Sequence, residues 1–229
     1  MKNVHNPRLQ LEDFFSDLVE AYRAEIKSLY YAGCRFVQLD DTNLAYLCDV
    51  QMRANVTNRG EDVVSKTRLG CSHVDLASCD QNALPDRYAA LINACISDRP
   101  SDLVIGMHIC RGNFKSQFFA SGAFILIETV KLAYVITHPG GYEPVAKIIF
   151  QDINVDVLYL EWESDRAGNF EPLRYLAPGR KVVLGLISSK IGTLEDKQQI
   201  INRIHEAASF CPEGIDQLAL STQCGFSVQ

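Results

Sequence analysis

The sequence has no Cys-x-x-Cys pair. Its 8 cysteines, Cys34, Cys48, Cys71, Cys79, Cys95, Cys110, Cys211 and Cys224, are scattered along 229 residues. That spacing excludes the disulfide framework of a small secreted domain and a structural zinc knot built from close cysteine pairs. Most of these thiols are expected to be buried in a reducing cytoplasm. No Gly-x-Gly-x-x-Gly and no P-loop occurs, so the phosphate cradle that opens many nucleotide-binding folds is missing. Positive charge is also short: the net charge is -6, which argues against nucleic acid or an anionic membrane as partner. The opening residues Met1–Pro7 carry no apolar core of a signal peptide. The apolar run Ala123–Ile136 holds Glu128 and Lys131 and is too short to span a bilayer. Its periodicity leaves strand and helix equally open.

A hydrophobic content of 47% is enough for one sizeable core. Apolar residues at helical spacing predict a helix from Leu9 to Ala32, stopped by Gly33. A strand follows over Cys34–Leu39 and ends in Asp40-Asp41. Thr42–Met52 reads as helical, and Arg53–Asn82 as a long polar excursion. Leu84–Ile96 is a helix with Pro85 in its first turn. Further strands are expected at Asp102–Met107, Val155–Leu160, Lys181–Leu186 and Gln217–Leu220. A helix from Leu194 to Phe210, with Thr193 as N-cap, separates the last two.

These strands are too continuously apolar to have a wet face, and they alternate with helices. That is the pattern of a parallel α/β sheet. Each ends in polar or metal-capable residues, as at the C-terminal mouth of a (β/α)8 TIM-type barrel. A doubly wound sheet would gather its chemistry at a switch point behind a glycine-rich turn. Five such strands are countable, where a closed barrel needs eight.

The chemistry gathers at Met107-His108-Ile109-Cys110-Arg111-Gly112-Asn113. Residues i and i+2 of an extended strand point the same way, so His108 and Cys110 can offer an imidazole nitrogen and a thiolate to one point. Glu161 and Cys224 stand at two further strand ends. One imidazole, two thiolates and one carboxylate are a good zinc shell. The carboxylate is the weakest of the four and the readiest to yield to an incoming thiol. Zinc deprotonates a coordinated thiol, so such a site suits S-alkylation rather than hydrolysis. A plainer reading stands beside it: Cys110 and Cys224 as small buried thiols, and Glu161 or Glu163 as a solvated charge. Arg111 and Asn113 are candidates to contact a substrate anion or carbonyl, or else to satisfy loop carbonyls.

The stretches Val37–Leu47, Met107–Phe114, Gly140–Phe150, Val155–Leu176, Lys181–Asp196 and Leu218–Phe226 resemble, in order, the cobalamin-independent methionine synthase family, in its C-terminal catalytic zinc barrel and its stand-alone relatives. The resemblance implies a zinc site of His108, Cys110, Glu161 and Cys224, with Glu161 rather than Glu163 as the carboxylate. It also implies that Asp40 holds the amino group of a thiol amino acid substrate. The function implied is a zinc-dependent, cytoplasmic S-methyltransferase of methionine biosynthesis, moving a methyl group from a methyltetrahydrofolate-type donor to homocysteine.

Three departures from the family pattern qualify that expectation. Family barrels place several strands ahead of the Gln38-x-Asp40 strand, so residues 1–229 are expected to form a partial barrel of about five βα units that lacks the N-terminal strands and a closing helix. Residues 123–140 read as an insertion. Where the family carries Asp-x-His, this chain has Gly185-Leu186-Ile187-Ser188-Ser189-Lys190 without histidine, which leaves the donor open. Two alternatives follow. One is alkylation of another thiol, as in epoxide:coenzyme M transfer. The other is a non-catalytic truncated fragment, self-associating through open sheet edges.

Overall fold

The computed structural model describes residues 11–42, 44, 84–111 and 141–226. Helix α1 spans Leu11–Tyr31. It ends where Gly33 adopts φ 101°, a left-handed turn that glycine makes without a Cβ clash. There the amides of Ala32, Gly33 and Cys34 cap the carbonyls of Ser28, Tyr30 and Leu29. Strand β1 (Phe36–Asp41) follows, then α2 (Leu84–Ile96) and β2 (Val104–Ile109). Before β3 (Val157–Glu161) come a 3-10 turn, Glu143–Val145, and a π-helical turn, Ile148–Asp152. Two more 3-10 segments, Asp165–Ala167 and Glu171–Tyr175, connect to β4 (Lys181–Ile187). Helix α3 (Lys197–Phe210), a 3-10 turn and β5 (Leu218–Thr222) complete the described chain.

The described strands are all parallel, and their spatial order β1-β2-β3-β4-β5 is also their order in the chain. A doubly wound sheet reverses direction at its switch point. An unreversed run is the (β/α)8 barrel arrangement, and among the described residues it is not closed. Alternate residues face opposite sides of each strand. Ile105, Met107, Ile109, Leu158, Leu160, Val182, Leu184 and Leu186 face the helical layer and join one buried cluster. Burying each such side chain contributes roughly 1.5–3 kcal/mol. The other face carries Phe36, Gln38 and Asp40 on β1, Gly106 and His108 on β2, and Tyr159 and Glu161 on β3.

Several boundaries differ from the sequence expectation. β1 and β2 run two residues later than expected, so Asp40, Asp41 and His108 lie inside strands rather than beyond them. The cause is pairing: Asp40 and Asp41 stay in register with His108 and Ile109, and the Cys110 amide bonds the Asp41 carbonyl at 2.8 Å. Helix α3 starts at Lys197, not Leu194, and its N-cap is Asp196, whose carboxylate accepts from the Gln199 amide at 2.9 Å. Thr193 is not the cap, because the Glu195 carboxylate reaches back to the Ser188 amide at 2.6 Å and holds that stretch as loop. Among the described residues only short 3-10 and π turns precede β3 and β4. The expected helix Thr42–Met52, apart from Thr42 and Leu44, the excursion Arg53–Asn82, the segment 123–140 and Asn113 lie outside the described residues.

Five cysteines are described, Cys34, Cys95, Cys110, Cys211 and Cys224, and all are free thiols. No described helix is long and apolar enough to cross a membrane.

Candidate metal centre

Parallel strands bring their C-terminal ends to one rim, and the candidate donors sit on it. His108 is the penultimate residue of β2, and Cys110 follows that strand at once. Glu161 ends β3, and Cys224 lies just past β5. Strand β4 stands between the last two and supplies no donor. It supplies Gly185, the register partner of both Glu161 and Ser221. A Cβ there would lie 2.7 Å from Gln223 Cα and 2.8 Å from the Leu160 carbonyl oxygen. The missing side chain therefore lets the backbone after β5 close down over β4 towards β3. A register shift between Gly185 and Ile187 completes the approach, and the Gln223 amide bonds the Ile187 carbonyl at 2.8 Å.

One ligand atom from each of His108, Cys110, Glu161 and Cys224 lies within 4.8 Å of all the others. The Cys110 and Cys224 sulfurs are 3.7 Å apart, and His108 Nε2 is 3.9 Å from Glu161 Oε1. Donors bound about 2.0–2.3 Å from a tetrahedral zinc ion stand roughly 3.3–3.8 Å from one another. The four residues drawn from the sequence thus meet at one point of the right size.

Each donor is held. His108 Nδ1 lies 3.2 Å from the Tyr159 carbonyl, which can only accept, so Nδ1 carries the proton and the Nε2 lone pair faces the other donors. That Nε2 is buried and makes no hydrogen bond of acceptable geometry. Glu161 is fully buried; its Oε1 accepts from the Arg111 amide at 2.9 Å and its Oε2 from Gln223 Nε2 at 3.4 Å. The Gln223 side-chain oxygen Oε1 in turn accepts from the Ser189 amide at 3.3 Å.

Tyr142 secures the backbone of Glu161. Its phenol oxygen accepts from the Glu161 amide at 3.0 Å, and its hydroxyl donates to the Glu161 carbonyl at 3.2 Å. The Tyr142 ring packs on Trp162, with centroids 4.8 Å apart, and Trp162 packs on Phe170 at 5.3 Å. The Arg111 guanidinium lies 4.6 Å above the Tyr142 ring.

The electrostatics match a cation site. Burial pushes the Glu161 carboxyl up, against the Arg111 amide and charge that favour its ionised form. Burial lowers His108, but the Cys224 thiol and the charges of Cys224, Glu161 and Asp40 outweigh it and leave the imidazole raised. The Cys110 thiol against its sulfur, and the His108 imidazole beside it, bring Cys224 down to about 4, on the thiolate side at neutral pH. Soft thiolates with an imidazole favour zinc over magnesium or calcium, which want oxygen donors. The residues fit the ion.

Asp40 lies on the same sheet face, in register with His108 across the β1–β2 ladder, and its side is exposed. Arg111 is 1% exposed and is directed at Glu161 and Tyr142, not at open space. Tyr142, Gln223 and Gly185 did not emerge from sequence reasoning as site residues. Their only sequence signal was their place inside the stretches that carry the family resemblance.

Comparison with known proteins agrees with that resemblance. No protein-family model matches the chain. The uncharacterized protein YxjH of Bacillus subtilis (strain 168) is 41% identical over 217 residues, which cover 94% of this chain and 48% of the relative. A solved structure from Listeria monocytogenes, assigned as a vitamin-B12-independent methionine synthase, matches with TM-score 0.60 and 33% identity over 94% of this chain and 49% of its own. A B12-independent methionine synthase of Shewanella sp. W3-18-1, solved with selenomethionine, matches in fold, with TM-score 0.58 and 17% identity over 98% of this chain and 51% of its own. The chain spans about half the length of the relatives that it matches.

Proposed function

We propose that this chain, a relative of the vitamin-B12-independent methionine synthases over the half of their length that it spans, carries a zinc-dependent methyltransferase site that alkylates a thiol, with homocysteine as the acceptor. The observation that carries the reading is the meeting of His108, Cys110, Glu161 and Cys224 within 4.8 Å at one sheet rim.

His108 Nε2, the two cysteine sulfurs and a Glu161 oxygen would hold the ion. When bound, zinc supplies Lewis acidity that makes an incoming thiol a thiolate nucleophile at neutral pH. The chain's own residues prepare the place. Tyr159 fixes the His108 tautomer through its carbonyl. The Cys110 and His108 side chains beside Cys224 favour its thiolate form. Glu161, a hard oxygen donor whose burial disfavours its charge, would be the weakest of the four donors to a bound zinc ion. Arg111 and Gln223 give its carboxylate hydrogen bonds at the edge of the donor set. Asp40, exposed beside His108 on the same face, would pair with the ammonium of an amino-acid thiol.

The methyl donor need not be a folate. The segment Gly185–Lys190 brings amides, two serine hydroxyls and a lysine to the rim, but no imidazole to return a proton to a departing group. Epoxide-type or other alkyl donors remain open to the same site.

Elemental analysis of the purified chain and of a Cys110→Ser, Cys224→Ser double variant tests the reading. About one zinc per chain in the parent and none in the variant is the expected result, followed by methionine formation from homocysteine with candidate donors. A folded parent without zinc would favour a non-catalytic fragment.

A further inference from the structure

Strand β3 has a problem at its C-terminal end. The Trp162 amide bonds the Gly185 carbonyl on the β4 side, at 3.0 Å. Peptide groups alternate sides along a strand, so the amide and carbonyl of Glu161 face the β2 side. On that side the β2–β3 ladder has already stopped, at Ile109 opposite Leu160. The main chain beyond Ile109 turns instead towards the donor set, with the Arg111 amide on the Glu161 carboxylate. No described strand pairs with Glu161 on that side, and the peptide groups of a fully buried residue are rarely left unsatisfied.

One phenol fills the gap. Tyr142 has 0% exposure, and its single oxygen both accepts from the Glu161 amide and donates to the Glu161 carbonyl. It thus stands in for the missing neighbour strand at the one residue of β3 whose side chain reaches the donor set. Its ring is fixed from two sides, by Trp162 and by the Arg111 guanidinium. Arg111 itself belongs to the segment that carries Cys110. The contact therefore ties the β2 end, which brings His108 and Cys110, to the β3 end, which brings Glu161.

We infer that Tyr142 is a positioning residue for the metal centre: its hydroxyl fixes the backbone of Glu161, and so sets where the carboxylate stands relative to the two sulfurs and the imidazole. The inference rests on the metal reading above. A Tyr142→Phe substitution keeps the ring and its packing and removes only the oxygen. Phe170→Leu loosens the same aromatic cluster from its far side, where Phe170 touches Trp162 and not Glu161.

Co(II) is the probe, because its spectrum reports on the ligands one by one. Parent, Tyr142→Phe and Phe170→Leu are titrated with Co(II), and each is also melted. The parent should take up one Co(II) with sulfur-to-metal charge-transfer bands of two thiolates. Tyr142→Phe should retain those bands, shift the ligand-field bands that report the carboxylate, and bind Co(II) roughly 10–100-fold more weakly. Phe170→Leu should melt earlier with the parental spectrum and affinity. A parental spectrum and affinity in Tyr142→Phe would overturn the inference while leaving the metal reading intact. So would an equal weakening in Phe170→Leu, which would mean that any loosening of the cluster acts alike. A folded parent that gives no thiolate charge transfer would overturn the metal reading, and the inference with it.

Discussion

Gly185→Ala is the most searching single change in this molecule. The new Cβ would meet Gln223 Cα at 2.7 Å, the Leu160 carbonyl oxygen at 2.8 Å and the Thr222 carbonyl oxygen at 3.2 Å. All three are backbone atoms, so no side chain can swing aside. The shortest contact lies roughly 0.7 Å inside ordinary van der Waals distance, and either β3 or the segment after β5 has to move by about that much. Overpacking of this kind costs about 1–3 kcal/mol. For a domain of this size each kcal/mol lowers Tm by about 2–4 °C, so a loss of about 4–8 °C is the central expectation. The displaced atoms flank Glu161 and Cys224, and functional sites tolerate only about 0.5 Å of misplacement. Zinc affinity should therefore fall about 10–100-fold. Thermal melts followed by circular dichroism and zinc competition with a chromophoric chelator give both numbers. Gly192→Ala is the control, because a Cβ there meets nothing within 4 Å. A Gly185→Ala chain that melts within about 1 °C of the parent and binds zinc equally well would refute the close-approach argument.

Other outcomes follow from the same contacts. In the metal-free chain, iodoacetamide should label Cys224 at a rate nearly flat from pH 8 to pH 5, because its thiol titrates near 4, and peptide mapping would show the contrary fall of an ordinary thiol. Cys211, whose thiol burial pushes up to about 11, should stay unlabelled across that range in the folded protein. The sign for stability is opposite to that of a salt-bridged acid: the unfolded thiol ionises first, so Cys211 should erode stability as pH rises from about 9 towards 11. Asp196→Ala should cost about 1 kcal/mol through loss of the α3 cap, whereas Thr193→Ala should cost almost nothing, as urea midpoints would show. Asp156→Ala should cost about 1–3 kcal/mol, because Asp156 accepts from the Ile105 amide at 2.7 Å and pairs with Arg99 at 3.0 Å where β2 and β3 begin. An unchanged denaturation midpoint would show that water replaces it freely.

The legible and illegible parts of this molecule divide along physical lines. Continuous apolar strands with donors at their ends were visible because strand burial writes itself as composition and the mouth of a parallel sheet gathers strand ends. Hence His108, Cys110, Glu161 and Cys224 could be named from position, and the structure brings them together. The boundaries of β1 and β2 slipped because acidic and imidazole side chains look like terminators, yet backbone pairing carries Asp41 and Ile109 into the ladder. Thr193 reads as the cap in sequence, but the Glu195 carboxylate on the Ser188 amide holds that stretch as loop and leaves Asp196 to cap α3. Tyr142 and Gly185 stayed hidden for a different reason. One is defined by two hydrogen bonds to backbone 19 residues away, the other by an absence of atoms, and neither leaves a local pattern.

Strand order equals chain order, and that has a consequence for assembly. Each strand can dock on its predecessor as soon as it exists, with no position held vacant for a later arrival. The donors are collected in the same sequence: imidazole and first sulfur with β2, carboxylate with β3, and the second sulfur only when β5 has docked past β4. A full shell is therefore available to an ion only after β5 is seated. An ion that binds the complete donor set and not its parts favours the sheet with β5 docked over the sheet without it, by about 4 kcal/mol when its concentration is a thousand times its dissociation constant. The centre would act as a latch on maturation, holding shut a sheet that was built one strand at a time.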